Sequence, residues 1–121
     1  METDDHRLVV VADDDEAMRL LCRINLELEG YRVVEAESAR EVESVVADEP
    51  VALVLLDIHL GNDDGIEIAH RLKESNPEVS IAFLSGSAQF GDRSAAVSDG
   101  AIPKPFSLEE LIETVHRLAR R

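Results

Sequence analysis

The chain has 121 residues, of which 45 % are apolar and 31 % charged, a globular mix with length enough for one domain and one real core. Its 26 acidic and 12 basic residues give a formal charge of −14, a field that disfavours nucleic-acid backbones and anionic membrane surfaces. The single cysteine, Cys22, excludes an internal disulfide or a thiolate metal cluster, and no apolar run approaches the roughly 18 residues of a membrane span.

Residues 1–7 are polar and charged, unlike a signal or transit peptide, so a cytoplasmic location is expected. Residues 8–12 form a valine-rich run that reads as a buried strand. Residues 16–29 follow with helical spacing, and Ala17, Leu21, Ile24 and Leu28 share one face. Gly30 is a natural stop. Residues 31–36 form a second strand. Ser38 opens a helix with Glu41 as its capping-box partner, running to about residue 48 before Pro50. Residues 51–56, the most apolar stretch, predict a central strand with Asp57 at its tip.

A polar loop over residues 61–65 leads into a helix at 66–75, and Asn76-Pro77 turns the chain. Residues 79–84 predict a fourth strand, followed by Ser85-Gly86-Ser87. Residues 89–98 predict a weak helix carrying Gly91, and Asp99-Gly100 a turn into a short strand at 101–104. Ser107 and Glu110 form a second capping box, opening a last helix to about residue 120.

Strands and helices thus alternate five times, with no repeat, linker or low-complexity segment. Continuous apolar strands with crossover helices predict a parallel sheet covered on both faces. Ligands in such sheets bind beyond the carboxyl ends of the strands, at the switch in strand order. Those ends carry Asp13-Asp14, Asp57, Ser85 and Lys104, while the second strand ends in Glu35-Ala36 with nothing obvious to contribute. A strand order of 2-1-3-4-5 gathers them. Converging carboxylates repel and need compensation. Mg2+ suits oxygen ligands and keeps waters. Lys104 adds a mobile ammonium and Ser85 a hydroxyl. A carboxylate nucleophile, a metal, a hydroxyl and an ammonium are the set that phosphoryl transfer to an aspartate requires.

Over residues 6–120 the chain resembles a response-regulator receiver domain, the phospho-accepting part of two-component signalling. The motifs are Val10-Val11-Ala12-Asp13-Asp14-Asp15, then Leu55-Leu56-Asp57-Ile58-His59-Leu60 with Asp64-Gly65, then Leu84-Ser85-Gly86, then Lys104-Pro105-Phe106. Each alone is weak; in this order, each at a strand end, they are specific. The resemblance implies a flavodoxin-like doubly wound (βα)5 α/β fold in one receiver domain over residues 1–121. It implies that Asp57 is the phospho-acceptor. Asp14 would ligate Mg2+ directly, Asp13 would hold metal-bound waters, and the backbone carbonyl of His59 would be the third protein ligand. Ser85 and Lys104 would contact the phosphoryl group, with Gly86 leaving space and a cis Pro105 aiming the lysine. His59 and Ser87 sit where the family tunes access of the hydrolytic water. The implied donor is a histidine kinase or a histidine phosphotransfer protein, the implied target a downstream protein effector. A homodimer through the fifth-helix face is compatible with this reading. No turnover of an external substrate is expected.

Three departures stand out. Ala101 occupies the position where the family usually has an aromatic switch residue. The interval from Ser85 to Lys104 is a few residues short, so the fourth helix should be short. Gly61 stands where proline is common, which predicts a looser loop with an extra acid, Asp63, near the metal.

Each residue also has a plainer reading. Asp13 to Glu16 could simply cap a helix and favour its first turn. Asp57 could form a strand-end turn. Cys22 reads as a small core hydrophobe. His6, His70 and His116 read as surface residues. Arg117, Arg120 and Arg121 read as complements to the last helix dipole. Paired acids at strand ends also suit Mg-dependent phosphohydrolases or nucleic-acid-processing domains, but those need a substrate pocket and, for nucleic acid, a basic track. A degenerate receiver acting as an unphosphorylated docking module is the remaining alternative, weakened by the competent residue types at all five site positions.

Overall fold

The computed structural model describes residues 7–86 and 91–120. His6, Ser87, the first two positions of the expected fourth helix and Arg121 lie outside the described residues.

The chain runs β1 (Leu8–Ala12), α1 (Glu16–Leu28), β2 (Arg32–Ala36), α2 (Ala39–Asp48), β3 (Val51–Asp57), α3 (Gly65–Ser75), β4 (Ser80–Gly86), α4 (Asp92–Ala95), β5 (Gly100–Lys104) and α5 (Leu108–Ala119). The five long strands form one sheet in the order 2-1-3-4-5, every neighbouring pair parallel. This is the doubly wound α/β architecture that the alternation predicts.

Because successive strand residues point to opposite faces, each apolar strand supplies two cores. Val10, Ala12, Val54, Leu56, Ile81 and Phe83 face α2 and α3, where they meet Val42, Val46, Ala69 and Leu72. Their neighbours Val9, Val11, Leu53, Leu55, Ala82 and Leu84 face α1 and α5, where they meet Cys22, Leu26, Leu111, Val115 and Leu118. Cys22 is a buried core residue, as expected, and burial pushes its thiol up to about 12.

Local signals place the ends. Asp15 caps α1, its carboxylate accepting from the backbone of Ala17 and Met18. Gly30 ends that helix with φ +95°, in the left-handed region glycine tolerates. The Ser107–Glu110 capping box is complete. At α2 only half of the expected box forms: Ser38 accepts from Glu41, but the Glu41 carboxylate reaches the Glu37 amide instead.

Three expectations are corrected. The face of α1 turned to the core carries Arg19, Cys22 and Leu26, whereas Leu21, Ile24 and Leu28 are exposed. The loop after β3 is not loose: His59–Leu60 pairs antiparallel with Asp63–Asp64 in a two-residue hairpin. Gly61 supplies its turn at φ +61°. Among the described residues the fourth helix is a single turn, Asp92–Ala95, within the expected 89–98 and short as the Ser85-to-Lys104 interval predicts; it is held by Ser94, whose hydroxyl accepts from the Gly91 amide. His116 is also more than a surface residue, since it bonds the buried Tyr31 hydroxyl through Nδ1 and Glu29 through Nε2.

Candidate functional site

Strand register brings the polar ends together. Ala12 pairs with Leu56, so Asp13 follows beside Asp57; Asp57 pairs with Leu84, and Lys104 with Gly86. Each site residue therefore sits at the carboxyl end of its strand because the apolar run before it ends there.

Asp57 is buried, at 9 % exposure, with both carboxylate oxygens engaged. Its Oδ1 accepts from the His59 amide at 3.0 Å and from the Ser85 hydroxyl at 3.0 Å. Its Oδ2 accepts from the Lys104 ammonium at 3.3 Å. The bond from the His59 amide closes the strand-end turn that the plainer reading of Asp57 expects. Ser85 is buried and accepts from the Ile58 amide, which fixes its oxygen against the end of β3.

Asp13 is fully buried. Its Oδ2 accepts from Lys104 at 2.7 Å and its Oδ1 from the Asp15 amide at 2.9 Å. Burial raises its carboxyl above the usual range; the bonds from Lys104 and Asp15 pull it back only in part, and the nearby Asp57 charge adds to the rise. Burial of Lys104 by itself lowers the ammonium, but its bond to Asp13 and the charges of Asp13 and Asp57 outweigh this and hold it above its ordinary value. The peptide bond from Lys104 to Pro105 is cis.

Asp14 is exposed, and one carboxylate oxygen from each of Asp13, Asp14 and Asp57 lies within 4.8 Å of the others. Three hard oxygen donors, one of them open to solvent, fit a hard divalent cation that keeps part of its water shell. The acidic run therefore divides its labour: Asp13 and Asp14 join the carboxylate cluster, and Asp15 caps the helix.

His59 presents an exposed side chain on a shallow cavity of about 390 Å3 lined also by Gly61, Asn62, Asp64 and Arg93. Arg93 of α4 bonds Asp64 at 3.0 Å and holds its carboxyl below the usual range. A larger hollow of about 950 Å3 lies at the opposite end of the sheet, by Arg7, Arg32, Pro50 and Pro77, and contains none of these residues. Ala101 is exposed on β5, so no ring stands at that place.

Asp63 does not join the carboxylates, contrary to expectation. Its Oδ2 accepts from the Ala39 amide at 3.2 Å, at the start of α2, where a negative charge is favourable. The end of β2, where the sequence shows nothing obvious, is bonded to this site. Glu35 accepts from Arg19 Nε at 3.1 Å, and Arg19 Nη1 donates to the Asp13 carbonyl at 2.7 Å. An arginine in line with Cys22 and Leu26 on the core face of a helix was the available signal.

Residues 9–116 match the model of the response regulator receiver domain. A response regulator MprA of Mycolicibacterium vanbaalenii is 34 % identical over 93 % of this chain and 50 % of its own length. The MprA of Mycobacterium ulcerans is 36 % identical over the same shares. The chain spans about half the length of these curated relatives. Among solved structures, a CheY-like receiver domain protein from Methanospirillum hungatei superposes with a TM-score of 0.85 at 26 % identity, covering 94 % of each chain. The regulator TrrA from Thermotoga maritima, solved with Mg2+ and BeF, gives 0.86 at 29 % identity over 93 % of this chain and 98 % of its own.

Proposed function

Because the chain belongs to the response-regulator receiver domain family, we propose that it accepts a phosphoryl group on Asp57 in an Mg2+-dependent reaction and switches a protein-interaction surface. The observation that carries this reading is the environment of Asp57: a buried carboxylate held by a hydroxyl and an amide on one oxygen and an ammonium on the other, beside Asp13 and Asp14.

A phosphohistidine on a histidine kinase or phosphotransfer protein is the donor. An Asp57 oxygen attacks phosphorus, the phosphorus–nitrogen bond breaks, and the imidazole leaves with that electron pair. Asp57 becomes an acyl phosphate. Asp13, Asp14, Asp57 and the His59 carbonyl would hold the cation, Asp13 through water. When bound, Mg2+ offsets the charge of the carboxylates and of the incoming phosphoryl oxygens. Lys104 and Ser85 turn toward the new oxygens as point charge and hydroxyl donor. That movement frees Asp13 from its ion pair with Lys104 and the Ile58 amide from Ser85. The added negative charge shifts the population of the loops after β3 and β4 and of the α4–β5–α5 face, toward a downstream protein. With Ala101 on β5, this shift proceeds without the usual aromatic partner. Lys104→Ala leaves Asp57 able to be modified but uncouples the response. The setting is cytoplasmic, and the chain acts on no external substrate.

The test is intact mass after incubation with acetyl phosphate, with and without Mg2+, on the wild type and Asp57→Asn. One added phosphoryl group that requires Mg2+ and is absent from the variant is the expected result. No adduct on the wild type, or a stable adduct on Asp57→Asn at another residue, overturns the assignment. Release of free phosphate without an adduct would indicate a hydrolase.

A further inference from the structure

We propose that Arg19, anchored by Glu35, is a positioning residue for the cation-binding acidic pair, acting through the backbone carbonyl of Asp13. The inference rests on the proposed function and extends it to residues outside the family motifs quoted above.

Arg19 lies on the core face of α1 and is 8 % exposed. Its neighbours on that face are Cys22 and Leu26. An apolar side chain there would avoid the cost of desolvating a guanidinium, and such replacements often stabilise a fold. The charge is instead fully used. Nη1 donates to the Asp13 carbonyl at 2.7 Å, Nε donates to Glu35 at 3.1 Å, and Nη2 lies 3.8 Å from Glu37. The other Glu35 oxygen accepts from Arg23 at 2.8 Å, so the anchor is itself held.

The consequence falls on Asp13. Its amide donates directly to the Ala36 carbonyl of β2 at 3.1 Å, and its carbonyl is tied through Arg19 to Glu35 of the same strand. Both backbone groups of Asp13 are thereby fixed to the end of β2, and its two carboxylate oxygens are fixed by Asp15 and Lys104. The peptide between Asp13 and Asp14, whose side chains belong to one oxygen cluster, is the group that Arg19 grips. Freeing that carbonyl lets the peptide rotate and spreads the donors. Outer partners of metal ligands typically change affinity by about 10- to 100-fold when removed.

Charge and position predict opposite signs. Arg19 is a cation near a cation site, so removing it should tighten Mg2+ binding if charge alone matters. If positioning matters, removing it weakens binding. Calorimetric titration of the full chain with MgCl2, with thermal unfolding in EDTA to establish folding, separates the two. Arg19→Gln is expected to bind Mg2+ about tenfold more weakly. Arg19→Lys keeps the charge but has no planar fork to serve a carbonyl and a carboxylate together; it also binds more weakly, and it decides the matter if Arg19→Gln fails to fold. Arg32→Gln loses only its surface pair with Glu49, at the far end of β2, and keeps wild-type Mg2+ affinity. Unchanged or tighter binding in folded Arg19→Gln, or unchanged binding in Arg19→Lys, overturns the inference. Absence of Mg2+ binding in the wild type would sink the proposed function itself, and this inference with it.

Discussion

Lys104 and Asp13, 91 residues apart in the chain, meet at 2.7 Å at the end of the sheet. The ammonium occupies the place of compensating charge among the carboxylates, and a bound cation has to compete with it. Lys104→Ala should therefore tighten Mg2+ binding by about fivefold, the worth of roughly 1 kcal/mol for one unit charge at close range in water. Calorimetric titration checks this. Weaker binding in the variant would mean that Lys104 orients the acids rather than opposing the metal. Arg19, also a cation in contact with Asp13, carries the opposite expected sign, because it holds a backbone carbonyl and Lys104 holds the carboxylates.

The raised carboxyl of Asp13 makes its own statement about stability. A group whose folded value lies above its unfolded one favours the folded state only when protonated. The unfolded reference is 3.8. Below it the carboxyl is neutral in both states and costs nothing; the cost grows as pH rises through the folded value and is complete above it. Asp13→Asn removes that cost while an amide oxygen can still accept from Asp15. In EDTA at pH 7 the variant should melt at a higher temperature than the wild type, and the gap should close as pH falls toward 3.8. Saturating Mg2+ should reverse the order, since it stabilises only the chain that binds it. A variant that melts lower in EDTA would show that the Lys104 pair outweighs burial.

The strand ends were legible because each apolar run stops at a chemical residue: Ala12 before Asp13, Leu56 before Asp57, Leu84 before Ser85. The face of α1 was not. Ala17, Leu21, Ile24 and Leu28 form a regular apolar stripe, yet α1 turns Cys22 and Leu26 inward with Arg19 beside them. Periodicity reports that a stripe exists, and a charged residue that spends its hydrogen bonds inside can rotate the helix away from it. Truncation distinguishes the two faces. Leu26→Ala should cost about 2–5 kcal/mol, while Ile24→Ala, at a position 48 % exposed, should stay within about 0.5 kcal/mol. Denaturant midpoints give both values, and equal losses would contradict this orientation of α1.

Asp63 illustrates the same limit in a loop. Composition alone places another acid near the cluster, but hairpin pairing with Leu60 directs it to the start of α2. Asp63→Ala should lower stability by roughly 0.5 kcal/mol, the low end for a lost cap. It should leave Mg2+ affinity within about twofold of the wild type, because exposed charges beyond the cluster are screened by water and salt. A tenfold loss of affinity would return Asp63 to the cation site.

Gly65 ties the end of β3 to the helix that follows it. Its amide donates to the Ile58 carbonyl at 2.6 Å. A methyl group built on its Cα would come within 2.3 Å of the Asp57 carbonyl oxygen and 2.8 Å of Ile58. Backbone cannot swing aside as a flexible side chain can, so Gly65→Ala must push the end of β3 away from α3. The shift bears directly on Asp57 and on the His59 amide that holds its Oδ1. Overpacking of this kind costs about 1–3 kcal/mol. The more telling readout is chemical: displacement of a reacting group by about 1 Å can slow a reaction roughly 100-fold. Folded Gly65→Ala should take up phosphoryl from acetyl phosphate at saturating Mg2+ far more slowly than the wild type. Gly61→Ala, a substitution at a glycine with no atom within 4 Å of the added methyl but a φ of +61°, should lose stability through its turn and keep the wild-type uptake rate. If both variants slow uptake alike, the loss reflects loosening of the whole loop and the close approach of Gly65 to the end of β3 has no separate role.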